Sequence, residues 1–136
     1  MAVTRLTEFI GLQPANELEL AQLTEQGISP DSVTVLKDRG LTCSEISEVI
    51  ISARRLKHRK ERKEPLSKEE TDRVVRVARI LALAEDVFRS RDKALMWLRV
   101  PDDKLTGRTP MKMLVTESGG RLIEKLLYQI DEGIPA

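Results

Sequence analysis

Hydrophobic positions recur at intervals of three and four along most of this chain, and they nowhere alternate over a run that would suit a strand. The longest series is Val74, Val77, Ala78, Leu81, Ala84, Val87 and Phe88. It predicts one long helix with its apolar stripe against a core. A capping box, Ser67-Lys68-Glu69-Glu70, opens that helix: each polar side chain satisfies a backbone N–H that the helix leaves unpaired. Ile80 and Leu83 widen the stripe, so cover on more than one side is expected. Arg73, Arg76 and Arg79 run along the flank at spacing three, as a solvated face or a surface for an acidic partner.

Shorter elements precede it. Leu18, Leu20, Ala21 and Leu23 suggest an amphipathic helix over 17–26, stopped by Gly27. Ser29-Pro30-Asp31 starts another, with Val33, Leu36 and Val35 inward and Gly40 closing it. Thr42 and Glu45 form a second capping box, ahead of Ile46, Val49 and Ile50 on one face. Ser52 then caps a helix that carries Arg54, Arg55, Leu56, Lys57, His58, Arg59, Lys60, Arg62 and Lys63. The link is Ile50-Ile51, and β-branched residues resist the positive φ that a tight turn of this kind usually takes. Glu64-Pro65-Leu66 breaks the basic helix and marks a boundary, with one region at 1–64 and another at 65–136. Residues 1–16, interrupted by Pro14, give only a loose arm or a short helix.

Beyond the long helix the chain turns a corner. Asp92 is placed to cap a helix whose apolar face is Ala94, Leu95, Trp97 and Leu98, and Pro101 ends it. Leu105 tucks into the polar turn that follows, and Thr109-Pro110 restarts the chain as cap and first helical residue. Trp97 is the only tryptophan, and core filling is the commoner use of such a ring. Met111 to Val115 make a short apolar helix, and Thr116-Glu117-Ser118-Gly119 starts the last, with Leu122, Ile123, Leu126, Leu127 and Ile130 inward. The Gly119-Gly120 pair lets a neighbour approach closely; no strand or GxGxxG spacing makes it a phosphate loop. The fold class is therefore all-α, with no internal repeat.

Charge changes the picture more than composition does. The 136 residues carry a formal charge of only +1. Residues 1–53 hold three basic and eight acidic side chains, whereas 54–63 hold seven basic and one acidic. The rest of the chain balances, so the positive charge sits in one helix-length segment, which concerns partners rather than fold. A capped helix, a short turn and a basic helix together have the pattern of a helix-turn-helix. Such a helix fits the major groove, reads bases with its first residues and neutralises phosphates with its Lys and Arg. The candidate DNA-contacting residues are Ser52, Arg54, Arg55, Lys57, His58, Arg59 and Lys60. A basic run by itself more often marks a solvated face; the capped helix before it shifts the balance.

Candidate chemistry is sparse. His58 has no second ligand at metal spacing and suits a phosphate contact better. Cys43 is the only cysteine, which excludes an internal disulfide, suits a reducing, cytoplasmic compartment and is expected to be buried. No apolar run has the length to cross a bilayer, and because no long apolar core follows a basic start near the N-terminus, a secretory signal is not expected. No nucleophile–base or paired-carboxylate arrangement is visible, so neither enzyme chemistry nor a cofactor is expected.

Taken in order, Leu66-Ser67, Glu70, Arg73 and Arg76, then Ala84-Glu85-Asp86-Val87-Phe88, carry a specific pattern. So do Ala94, Trp97-Leu98, Pro101, Leu105, Gly107-Arg108-Thr109-Pro110 and Thr116-Glu117-Ser118-Gly119 through Ile123, Leu126-Leu127 and Gly133. With these motifs residues 66–133 resemble the toxin-binding domain of the Xre/MbcA/ParS family of bacterial antitoxins. Residues 27–63 resemble, less closely, the helix-turn-helix half that precedes it in the Xre branch. Asp102-Asp103 stands where the family often has Pro-Asn, and Thr106 where glycine is common, which bears on the shape of the corner loop. The resemblance implies an antitoxin whose partner is a RES-type toxin, an enzyme that consumes NAD. It would act by occluding the toxin's active site, repress its own operon by binding operator DNA, and form a homodimer within a larger toxin–antitoxin complex. By the same analogy Trp97, Leu98 and Leu105 would hold the corner, while Arg108 and the tail Glu132, Gly133, Ile134 and Pro135 would touch the toxin. The competing reading is a transcriptional regulator whose second half only dimerises.

Overall fold

The computed structural model describes residues 9–11 and 14–133. Helices follow one another as α1 (Glu17–Gln26), α2 (Asp31–Asp38), α3 (Cys43–Val49), α4 (Ala53–Arg62), α5 (Lys68–Phe88), α6 (Arg91–Arg99), a 3-10 turn (Asp103–Leu105), α7 (Pro110–Met113) and α8 (Glu117–Asp131). Among the described residues the only β pairing is an isolated antiparallel bridge, Asp102 with Arg108. The all-α expectation is met.

Helix α5 is the axis of the molecule. It packs against α8, α6, α1 and α2, neighbours that account for its broad stripe. Val74, Val77, Ala78, Ala82 and Ala84 are fully buried, and Ile80, Leu81 and Leu83 nearly so. Val87 and Phe88 are only half-buried. Residues from Phe9 to Leu127 join in one hydrophobic cluster, so the segments on either side of residue 64 share a core. Burying each large aliphatic side chain contributes roughly 1.5–3 kcal/mol, and this shared cluster is where most of the fold's stability lies.

The helix starts follow local chemistry. Thr42 with Glu45 and Ser67 with Glu70 both form complete capping boxes. Thr109, with Pro110 in the first turn, accepts from the Lys112 N–H, and Thr116 accepts from the Gly119 N–H. Gly27 ends α1 at φ +87°, and a Cβ there would strike the Leu66 carbonyl. That close approach belongs to a crossing of two loops, where the Leu66 N–H donates to the Ile28 carbonyl at 2.8 Å. A Cβ on Gly119 would strike the Met113 carbonyl, so the close approach expected of the glycine pair is to α7, with the Arg76 side chain against Gly120.

Several sequence-based expectations are corrected. Leu18 is 69% exposed, because α1 lies on the surface and buries only Leu20. Helix α6 is capped by Ser90, whose Oγ accepts from the Lys93 N–H, and Asp92 sits inside the first turn instead. Cys43 is exposed, because it is the first residue of α3, at the open end of a helix that buries only Ile46 and Val49. Leu122 is 38% exposed; α8 buries Ile123 and Leu127 instead. Arg76 is not part of a solvated flank. Its guanidinium bonds Asp72 at 2.7 Å, Glu117 at 3.3 Å and the Leu114 carbonyl at 3.1 Å, which ties α5 to the start of α8.

Candidate functional site

Two surfaces carry the candidate residues. The first is α4. The turn before it forms without positive φ: Ile50 adopts φ −121°, ψ −72°, and the Ile50 and Ile51 N–H groups both donate to the Ile46 carbonyl. Both isoleucines are buried, and Arg73 of α5 donates to the Ile50 carbonyl at 3.3 Å, so the long helix holds the turn. β-Branched residues thus serve here as a hydrophobic wedge. Ser52 Oγ accepts from the Arg55 N–H at 3.2 Å and caps α4.

Helix α4 buries none of its residues. Arg54, Lys57 and His58 are exposed, as are Ser52 and Lys60. The Lys60 ammonium donates to Thr34 Oγ1 at 2.9 Å, which braces α4 on α2. Arg55 is exposed with one guanidinium nitrogen 3.6 Å from Glu70 Oε2. Arg59 differs from the rest: it is half-buried and paired with both Glu64 and Glu70. The surface therefore presents a ridge of cations, with Arg59 engaged inside the protein.

The second surface is the corner after α6. Trp97 is half-buried, with its ring centroid 5.8 Å from that of Phe88 and tilted by 39°. Leu98 and Leu105 are buried and anchor the corner from within. The loop closes through the Asp102 N–H to the Arg108 carbonyl at 3.1 Å, while Asp102 Oδ1 accepts from the Lys104 N–H at 2.8 Å. Arg108 is exposed, and so are Met96 and Val100 at the rim. Glu132 and Gly133 are exposed at the end of α8; Ile134 and Pro135 lie outside the described residues.

A clamp that the sequence did not reveal joins α6 to α3. Arg99, the last residue of α6, grips both oxygens of Glu45 at 2.8 Å and the Gly40 carbonyl at 2.7 Å. Partial burial pushes the Glu45 carboxyl up, but hydrogen bonds from Arg99 and from the Thr42 N–H outweigh it and hold the group below its ordinary value. The same bond raises Arg99. Glu117 behaves alike: burial is outweighed by Arg76 and Arg121, and its carboxyl is lowered. Among the described residues no cluster of His, Cys, Asp or Glu gathers at metal-binding geometry, and no helix is long and apolar enough to cross a membrane.

Comparison with known proteins bears on both surfaces. Residues 19–79 match the family model of the antitoxin Xre-like helix-turn-helix domain, and residues 83–133 match that of the antitoxin Xre/MbcA/ParS C-terminal toxin-binding domain. The chain is 39% identical over 119 residues to an antitoxin Xre of Pseudomonas putida, covering 88% of this chain and 75% of that protein. This chain belongs to the Xre antitoxin family.

Two further antitoxin Xre proteins are similar over shorter stretches. One from Photorhabdus laumondii is 37% identical over 67 residues, 48% of this chain and 45% of that protein. One from Yersinia enterocolitica is 29% identical over 85 residues, 62% of this chain and 57% of that protein. The two family matches meet inside α5, so in this Xre antitoxin the long helix serves both domains. Helices α3 and α4 lie in the helix-turn-helix match, and the whole corner lies in the toxin-binding match.

Proposed function

We propose that this Xre-family chain neutralises a RES-type toxin by covering its NAD-consuming site, and represses its own operon through α4. The observation that carries the DNA half is that α4 is a capped, cationic helix without a buried residue, set after a rigid turn. The toxin half rests on the family motifs that gather at the corner, flanked by exposed Met96, Val100 and Arg108. In this reading Trp97, Leu98 and Leu105 shape the corner, while Arg108 and the tail from Glu132 through Gly133, Ile134 and Pro135 meet the toxin. A homodimer joins the toxin in the working complex.

Co-expression with the product of the adjacent reading frame tests the proposal. The two proteins are expected to co-purify, and NAD loss driven by the neighbour alone should stop when this chain is added. Failure to associate overturns the toxin half. Specific, salt-sensitive binding to the upstream DNA without any toxin association would favour a plain regulator whose second half only dimerises.

A further inference from the structure

Helix α4 is seated on the protein largely by charge. Its apolar contact is the half-buried Leu56. Arg55 and Arg59 stand one turn apart on the same face, and both reach the carboxylate of Glu70 in the first turn of α5, whose side chain is 1% exposed. Arg59 Nε donates to Glu70 Oε1 at 3.2 Å, and its Nη1 donates to Glu64 at 3.3 Å. The same Oε1 accepts from the Ser67 N–H at 2.8 Å. Glu70 Oε2 is buried with no hydrogen bond, and the Arg55 guanidinium waits 3.6 Å from it. The two arginines are held unequally, with side chains 26% and 70% exposed for Arg59 and Arg55.

We infer that Glu70 is the positioning residue of the basic helix: it fixes Arg59 as an internal strut, removing that cation from the phosphate-facing set, and tethers Arg55 loosely for transfer to nucleic acid. The inference rests on reading α4 as the DNA-binding helix. Arg55 is the third residue of α4, in the first turn, where helix-turn-helix proteins place base-contacting side chains. A side chain already aimed by a buried carboxylate has less freedom to lose on entering the groove. Without that carboxylate, Arg55 becomes a free cation and Arg59 keeps only the partly exposed Glu64, so both are drawn to phosphates on any sequence.

Glu70→Gln separates this role from simple capping, because glutamine also completes a capping box. The full chain is titrated against its own upstream DNA and against a scrambled duplex, between about 50 and 200 mM salt. In Glu70→Gln, binding to the scrambled duplex should tighten, with a salt slope steeper by about one to two units. Preference for the upstream DNA should fall by about tenfold. Glu61→Gln, an exposed acid on the same helix 3.9 Å from Lys57, should raise affinity without changing preference. Arg59→Gln should leave the slope unchanged, whereas Lys57→Gln lowers it by about one unit. An unchanged slope and preference in Glu70→Gln, or a slope lowered equally by Arg59→Gln and Lys57→Gln, overturns the inference.

Amide exchange on the free chain decides the positioning role without DNA. Glu70→Gln should speed exchange across α4 by about tenfold while the first turn of α5 stays protected. Unaltered protection of α4 overturns the inference. A wild-type chain that binds neither duplex but shows this exchange response would sink the DNA reading and leave the positioning role standing.

Discussion

Thr106 adopts φ +57°, ψ +38° at the close of the 3-10 turn, a left-handed conformation that a β-branched residue resists. Its Oγ1 donates to the Leu105 carbonyl at 2.6 Å, a partial compensation. Removing the Cβ should relieve about 1–2 kcal/mol of steric cost, less the roughly 0.5–1 kcal/mol of extra chain entropy that glycine loses on folding. Thr106→Gly is therefore expected to stabilise the protein by about 0.5–1 kcal/mol, read as a higher urea midpoint. A lower midpoint would show that the hydroxyl bond outweighs the strain. At the neighbouring anchor, burial reverses the ranking that the sequence suggests. Trp97 is the conspicuous residue, but it is half-buried, whereas Leu98 is fully buried. Leu98→Ala should cost roughly 3–4 kcal/mol and Trp97→Ala only about 2 kcal/mol, below the usual range for a fully enclosed ring. Equal or opposite losses in thermal unfolding would contradict this ordering.

Among elements, the clamp between α6 and α3 makes a prediction with a definite pH sign. Glu45 titrates lower in the folded protein than its ordinary value of 4.5. Its contribution to stability is therefore fully present above that value and is lost as pH falls through the folded value. Glu45→Gln should cost roughly 1 kcal/mol at neutral pH, a moderate figure because Arg99 is partly exposed to solvent. Stability measured from pH 7 down to pH 3 should show the wild-type advantage shrinking at the acid end; a constant gap would rule out the charged bond as its source. This element also shows what was legible beforehand. Thr42, Ser67, Thr109 and Thr116 could be read as caps because each cap's partner lies three residues away. Arg99 meets Glu45 across 54 positions, and Arg76 meets Glu117 across 41. Periodicity records which face of a helix is apolar, but it does not say which charge will find which. For the same reason the basic ridge is visible from the local run of charge, while the internal engagement of Arg59 is not. Leu18 and Leu122 fit their helical stripes and are nonetheless exposed, since the pattern does not tell how much of each stripe a neighbour covers.

For the whole molecule, a single hydrophobic cluster running from Phe9 to Leu127 implies one cooperative transition. Fragments 1–64 and 65–136 should each fail to give a cooperative melt, although the intact chain gives one; independent melting of either fragment would contradict the shared core. Helix α5 explains why. Its 21 residues span roughly 30 Å, and it receives α1 and α2 from one half and α6 and α8 from the other. Exchange of parts between relatives is constrained accordingly. A chimera that takes its helix-turn-helix half from one parent and its toxin-binding half from another cannot be spliced within residues 68–88 without mismatching a packed interface. Crossovers on either side of that rod keep its contacts with one parent and must rebuild those with the other, so recombination in this architecture demands compensating changes along the seam.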